Sequence, residues 1–104
     1  MVARGEMWWV EEPEAARRPY LVLTRQPAIP ALHTVLAVPA TRTIRGIPTE
    51  VLLDADDGMP DPCALSLDNT TVLPQEYFRE RITRLSVERM IEVCRALSVA
   101  AGCA

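Results

Sequence analysis

The sequence predicts a mainly β fold: a small, strongly curved barrel with one C-terminal helix packed on it. Three observations predict it. Short apolar segments recur at close spacing, broken each time by Pro, Gly or Asp; helical periodicity is confined to the end of the chain; and 104 residues leave room for a single core.

Gly5 to Val10 reads as a first strand, with aromatic and β-branched residues around Trp8-Trp9-Val10, and Glu11-Glu12-Pro13-Glu14 breaks it. From Pro19, the run Tyr20-Leu21-Val22-Leu23 has no polar alternation, which predicts a strand covered on both faces. Thr24 to Ala31, with Pro27 and Pro30, is a loop or a helical turn. Thr34 to Val38 is the next strand, and Pro39, which lacks a ladder donor, is expected to end it. Thr41 to Pro48 is a basic loop containing Gly46, Thr49 to Leu53 a short strand, and Asp54 to Pro62 a surface turn. Ala64 to Leu67 and Thr70 to Leu73 bracket the polar pair Asp68-Asn69, like a strand interrupted at a working edge. Pro74 to Tyr77 suits one helical turn, and Arg79 to Leu85 the last strand. Ser86 then caps a helix whose apolar positions Val87, Met90, Ile91, Cys94 and Leu97 recur at three- and four-residue steps and predict one buried stripe. Glu88 and Arg95 suit its dipole.

About half the residues are apolar but few are aromatic, so Val, Leu, Ile, Ala and Met must build the core. No secretory leader and no membrane span is legible, and a cytoplasmic protein is expected. Cys63, Cys94 and Cys103 are odd in number and lack a CxxC spacing, which predicts neither a disulfide framework nor a metal site, but small buried or terminal hydrophobes. A net charge of −3 argues against a polyanionic ligand until its distribution is considered. Every basic side chain is Arg. The acids Glu50, Asp54, Asp56, Asp57, Asp61 and Asp68 crowd the middle, whereas Arg17, Arg18, Arg25, Arg42 and Arg45 precede them, offering planar forks suited to phosphate.

Six segments carry a resemblance: Arg4-Gly5-Glu6-Met7-Trp8-Trp9-Val10, Arg17-Arg18-Pro19-Tyr20-Leu21-Val22-Leu23, Val38-Pro39-Ala40-Thr41, Pro48-Thr49-Glu50-Val51, Leu67-Asp68-Asn69 and Arg81-Ile82-Thr83-Arg84-Leu85. In this order and spacing the chain, as a single domain over residues 1–104, resembles the MazF/PemK toxin family. The resemblance implies an SH3-like β-barrel, a symmetric homodimer, sequence-specific cleavage of single-stranded RNA without metal or cofactor, and inhibition by a cognate antitoxin whose disordered C-terminal segment lies across the basic surface.

Such cleavage sends the ribose 2′-OH onto the neighbouring phosphorus, giving 2′,3′-cyclic phosphate and 5′-OH ends. It needs a base, an acid and positive charge beside the phosphorane. The resemblance places the essential arginine at Arg18 and its threonine partner at Thr41. Arg17, Arg42, Thr43 and Arg45 flank them and would track the RNA backbone, or form a solvated basic rim. Asp68 and Asn69 fall where relatives use an acid or amide near RNA, and an amide can read a base edge; a simple turn residue is the alternative for Asn69. His33 has no motif around it and the general base is unassigned. Trp8 and Trp9, adjacent on a strand, must face opposite ways, so only one can line a given surface. The segment Glu11 to Ala16 departs from relatives with a longer loop, and leaves the RNA sequence recognised open. The rival readings are a gyrase-binding toxin of the CcdB kind on the same fold, an SH3-like interaction module and a relative without activity.

Overall fold

In the computed structural model, which describes residues 1–103, the strand Thr34–Thr41 (β3) organises the sheet. One of its edges pairs with Arg18–Val22 (β2), which pairs in turn with Glu6–Val10 (β1), and β1 pairs with Phe78–Arg84 (β7). The other edge takes two short strands in succession: Thr71–Pro74 (β6) along Thr34 to Ala37, then Cys63–Ser66 (β5) against Ala40 and Thr41. Glu50–Leu53 (β4) lies outside β5, and every pairing is antiparallel. The expected interruption at Asp68-Asn69 is the short 3-10 turn Leu67–Asn69 that separates β5 from β6.

Pro39 does not end its strand. Leu36 gives its carbonyl to Leu23 N–H, so alternation points Ala37, Pro39 and Thr41 toward the far edge of β3. There β6 has stopped at Ala37 and β5 begins at Ala40. The missing donor of Pro39 therefore falls in the gap between the two partners, and β3 continues to Thr41.

Alternation along β2 divides the core. Leu21 joins Met7, Val38, Leu53 and Leu65 on one face, while Tyr20 and Val22 join Val10, Ile29, Val35 and Phe78 on the other. Burial on both faces explains the unbroken apolar run.

The barrel is not closed by a ladder, since β4 and β7 share no strand pairing among the described residues. Side chains clasp the opening instead. Thr83 on β7 donates its hydroxyl to the Asp57 carbonyl at 3.0 Å, and Arg89 Nε reaches the Asp57 carboxylate at 2.9 Å. Gly58 turns the loop beneath this clasp at φ +89°, where a Cβ would collide with the Thr83 side chain. The carboxyl of Asp57 is held below its ordinary range: burial works to raise it, but Arg89 and the backbone N–H of Asp54 together outweigh burial.

The terminal helix, Val87–Ala101 (α1), starts as expected, with Ser86 Oγ accepting from Arg89 N–H at 3.1 Å, and stops at Gly102. Its expected apolar stripe is only half correct. Val93 and Ala96 are buried, and Met90, Leu97 and Ala100 pack against the core, whereas Val87, Ile91 and Cys94 are exposed. The apolar arc is wider than the face that the sheet covers, and the remainder lines an open groove of about 590 Å³ with Arg4, Arg84 and Arg95 at its rim. Of the cysteines, Cys63 is buried and Cys94 and Cys103 are exposed, so Cys94 departs from the buried position expected of it. No described helix is long and apolar enough to cross a membrane.

Candidate active site

The β2–β3 ladder ends with Tyr20 opposite Pro39, and two residues beyond it on each strand come Arg18 and Thr41, on the same strand faces as that pair. Two clefts meet there, and both are lined by Arg18 and Thr41. The larger, about 370 Å³, adds Trp9, Arg17, Arg42, Met59, Asp61 and Cys63. The smaller, about 170 Å³, adds Thr43, Arg45, Glu50, Ser66 and Asn69.

The Thr41 hydroxyl oxygen accepts from Thr43 N–H at 3.1 Å, which leaves its own proton free for a phosphate oxygen. Arg18 is exposed and has no carboxylate partner among the described residues. Its neighbours differ. Arg17 pairs with Glu80 and stacks on the Trp9 ring, 4.6 Å from the centroid, and Arg42 pairs with Asp61 at 2.9 Å. To contact RNA these two must release an acid, whereas Arg18 and Arg45 need not. Arg45 and Gly46 direct backbone N–H groups at Glu50 Oε1, at 3.0 and 2.9 Å, folding the basic loop over the smaller cleft.

Asn69 and Asp68 separate. Asn69 lines the smaller cleft, where its amide donates to Ser66 Oγ at 2.7 Å and keeps a carbonyl oxygen and one N–H to spare. Asp68 accepts from the Thr49 hydroxyl at 2.6 Å and lines neither cleft. His33, just before β3, is removed from Thr41 at its end by roughly 25 Å at about 3.3 Å per residue. The tryptophans part as expected: Trp9 enters the larger cleft, and Trp8 packs beside Tyr20's cluster with its indole N–H on Glu6.

Met59, Asp61 and Cys63 were not legible as site residues, because they come from the loop beyond β4 that the Asp57 clasp brings to the sheet edge. Burial, and then the nearby Asp57 and Asp61 charges, push the Cys63 thiol upward, which keeps it protonated. Among the described residues no group of three or more His, Cys, Asp or Glu side chains stands close enough to hold a metal ion.

A curled antiparallel sheet with a terminal helix, bearing an arginine without a carboxylate partner among the described residues and a free hydroxyl where two clefts meet, defines a small-barrel protein with a candidate site at the sheet edge. Comparison with known proteins narrows this further. Residues 3–100 match the family described as PemK-like, MazF-like toxin of type II toxin–antitoxin system, and the chain belongs to that family. It is 43% identical over 102 residues to the probable endoribonuclease MazF5 of Mycobacterium tuberculosis, covering 97% of this chain and 94% of that one. The solved Mycobacterium tuberculosis toxin MazF-mt6 superposes with a TM-score of 0.85 at 31% identity, over 93% of this chain and 96% of that one. A MazE–MazF structure from Deinococcus radiodurans does so with a TM-score of 0.82 at 25% identity, over 99% and 97%.

Proposed function

We propose that this chain, as a single domain over residues 1–104, is a sequence-specific endoribonuclease toxin that cuts single-stranded RNA without a metal or cofactor. The observation that carries the reading is that Arg18 and Thr41 both line the two clefts, a carboxylate-free guanidinium together with a free hydroxyl proton. The naming of the 43% identical relative as an endoribonuclease supports it. In the reaction the 2′-oxygen forms a bond to phosphorus as the bond to the 5′-oxygen breaks. The 2′ proton leaves to a base and a proton reaches the 5′-oxygen. Arg18 stabilises charge on the phosphorane and Thr41 donates to a non-bridging oxygen. Arg17, Arg42, Thr43 and Arg45 hold the backbone, and Asn69 reads a base edge in the smaller cleft. Asp68 orders Thr49 and the turn that carries Asn69.

The toxin works in the cytoplasm as a homodimer, and a cognate antitoxin's disordered C-terminal segment competes with RNA for the arginines. The family's toxin–antitoxin description and the MazE–MazF pair support the second partner. Relatives named as endoribonuclease and MazF toxin do not favour the gyrase-binding alternative.

The test is incubation with mixed-sequence RNA in EDTA, with Arg18→Ala and Thr41→Ala alongside. Discrete cuts leaving 2′,3′-cyclic phosphate and 5′-OH ends, abolished by Arg18→Ala, are expected. A folded, antitoxin-free chain that cuts no RNA would overturn the reading.

A further inference from the structure

Tyr20 carries a group that packing does not need. Its ring fills a cluster with Val10, Val22, Ile29, Val35 and Phe78, and a Phe would fill the same space. Its hydroxyl donates to Glu12 Oε2 at 3.3 Å. An ionised carboxylate only accepts, so the hydroxyl proton is committed to Glu12 and its lone pairs remain for an N–H donor. Arg18, two residues earlier on β2, lies on the same face of the strand. Burial and Glu12 push the Tyr20 hydroxyl upward, and the Arg18 guanidinium pulls it down.

Glu12 is well placed to anchor such a chain. Glu11 N–H donates to the Tyr77 carbonyl at 2.9 Å, Ala15 N–H donates to the Glu12 carbonyl at 3.2 Å, and Glu14 takes φ 63°. The loop is thereby short and shaped. Arg17, Arg42, Arg81 and Arg89 each meet a carboxylate directly, which occupies N–H groups and cancels charge. Arg18 has no carboxylate partner among the described residues, and the hydroxyl that Glu12 holds lies on its face of β2.

We propose that Tyr20 is a positioning residue: its hydroxyl, anchored by Glu12, orients the Arg18 guanidinium while leaving it without a carboxylate of its own. One N–H is used for orientation, and the rest of the fork with its full charge stays available to phosphate. The proposal rests on Arg18 being the residue that meets the scissile phosphate. It gives the first loop, which lacks the longer segment of many relatives, a role reached through β2.

The experiment compares wild type, Tyr20→Phe, Glu12→Ala, Glu12→Gln and the Tyr20→Phe/Glu12→Ala double variant. Single-turnover cleavage of a short RNA and binding of its 2′-O-methyl analogue are measured, with circular dichroism as the check on folding. Tyr20→Phe and Glu12→Ala should each slow cleavage about ten- to hundredfold, with Kd for the analogue changed less than about twofold, because a misplaced fork loses rate before affinity. Glu12→Gln, which keeps an acceptor, should recover most of the rate. The double variant should be no slower than the slower single, as groups acting in one chain are not additive.

Wild-type cleavage with an unchanged Tyr20→Phe rate, multiplying effects in the double variant, or a loss confined to affinity would overturn the positioning role and leave the nuclease reading standing. A wild-type chain without ribonuclease activity removes both.

Discussion

Gly58→Ala should destabilise the protein far more than Gly46→Ala, although both glycines have positive φ. At Gly46, φ +69°, nothing stands within 4 Å of an added Cβ, so the cost is the left-handed backbone alone, about 1–2 kcal/mol. At Gly58 the same backbone cost applies, and the Cβ also overlaps Thr83. Overpacking of this kind adds about 1–3 kcal/mol, for a total near 3 kcal/mol. Against a typical stability of roughly 5–15 kcal/mol this is a large fraction, and in urea it moves the midpoint by roughly 1.5 M. The assay is equilibrium urea unfolding at one protomer concentration for wild type, both alanine variants, Thr83→Ala and the Gly58→Ala/Thr83→Ala pair. Truncating Thr83 removes the Oγ1 that the new Cβ meets first but leaves the Thr83 Cβ at 2.8 Å, so the pair should relieve part of the overlap and be more stable than the two single losses summed by about 1 kcal/mol. A Gly58→Ala loss no greater than that of Gly46→Ala, or strict additivity with Thr83→Ala, would refute the clasp as the reason for this glycine.

The Asp57–Arg89 pair makes a pH prediction. A carboxyl depressed on folding contributes stability that is present above its unfolded pKa and lost as pH falls through the lower folded value, so the wild-type benefit fades below about pH 4. Arg89→Met removes one of the two hydrogen bonds that oppose burial at the half-buried Asp57, so the carboxyl moves up from its wild-type position; the variant should lose about 2 kcal/mol at pH 7, and the gap to wild type should shrink as pH falls toward 4. A gap constant from pH 7 to pH 4 in urea unfolding would contradict this. Arg45→Ala should lower the salt slope of binding to an uncleavable single-stranded RNA by about 0.7, and Arg42→Ala by clearly less, since Arg42 exchanges Asp61 for phosphate. Equal slopes in a salt titration would show that the Asp61 pair does not persist in the free protein.

Most of the fold was legible because its signals are local. The break after β1 at Glu11 to Glu14, the turn from Asp54 to Pro62, the Ser86 cap and the burial of β2 on both faces each follow from a few neighbouring residues. Pro39 misled because its effect depends on what lies across the ladder, and two successive partners on one edge of β3 cannot be seen in sequence. The helix stripe was overread at Val87, Ile91 and Cys94 for a related reason: periodicity reveals an apolar arc, not how much of it the sheet covers. At the site, the resemblance singled out Arg18 and Thr41, and the fold brings them to the lining of the same two clefts. Asp61, Met59, Ser66 and the Glu12–Tyr20 pair arrive through tertiary contacts and carry no local signature.

The pairing of β1 with β7 also bears on how the protein emerges from the ribosome. Glu6 finds Arg84 and Trp9 finds Glu80 only after β7 has been made. Earlier synthesis provides β1, β2 and β3, and so Arg18 and Thr41, but the partner of Arg17 and the Thr83 hydroxyl that pins the cleft wall come later. Contacts so distant in sequence close slowly and late. Nascent chains that stop short of β7 therefore lack a finished cleft wall.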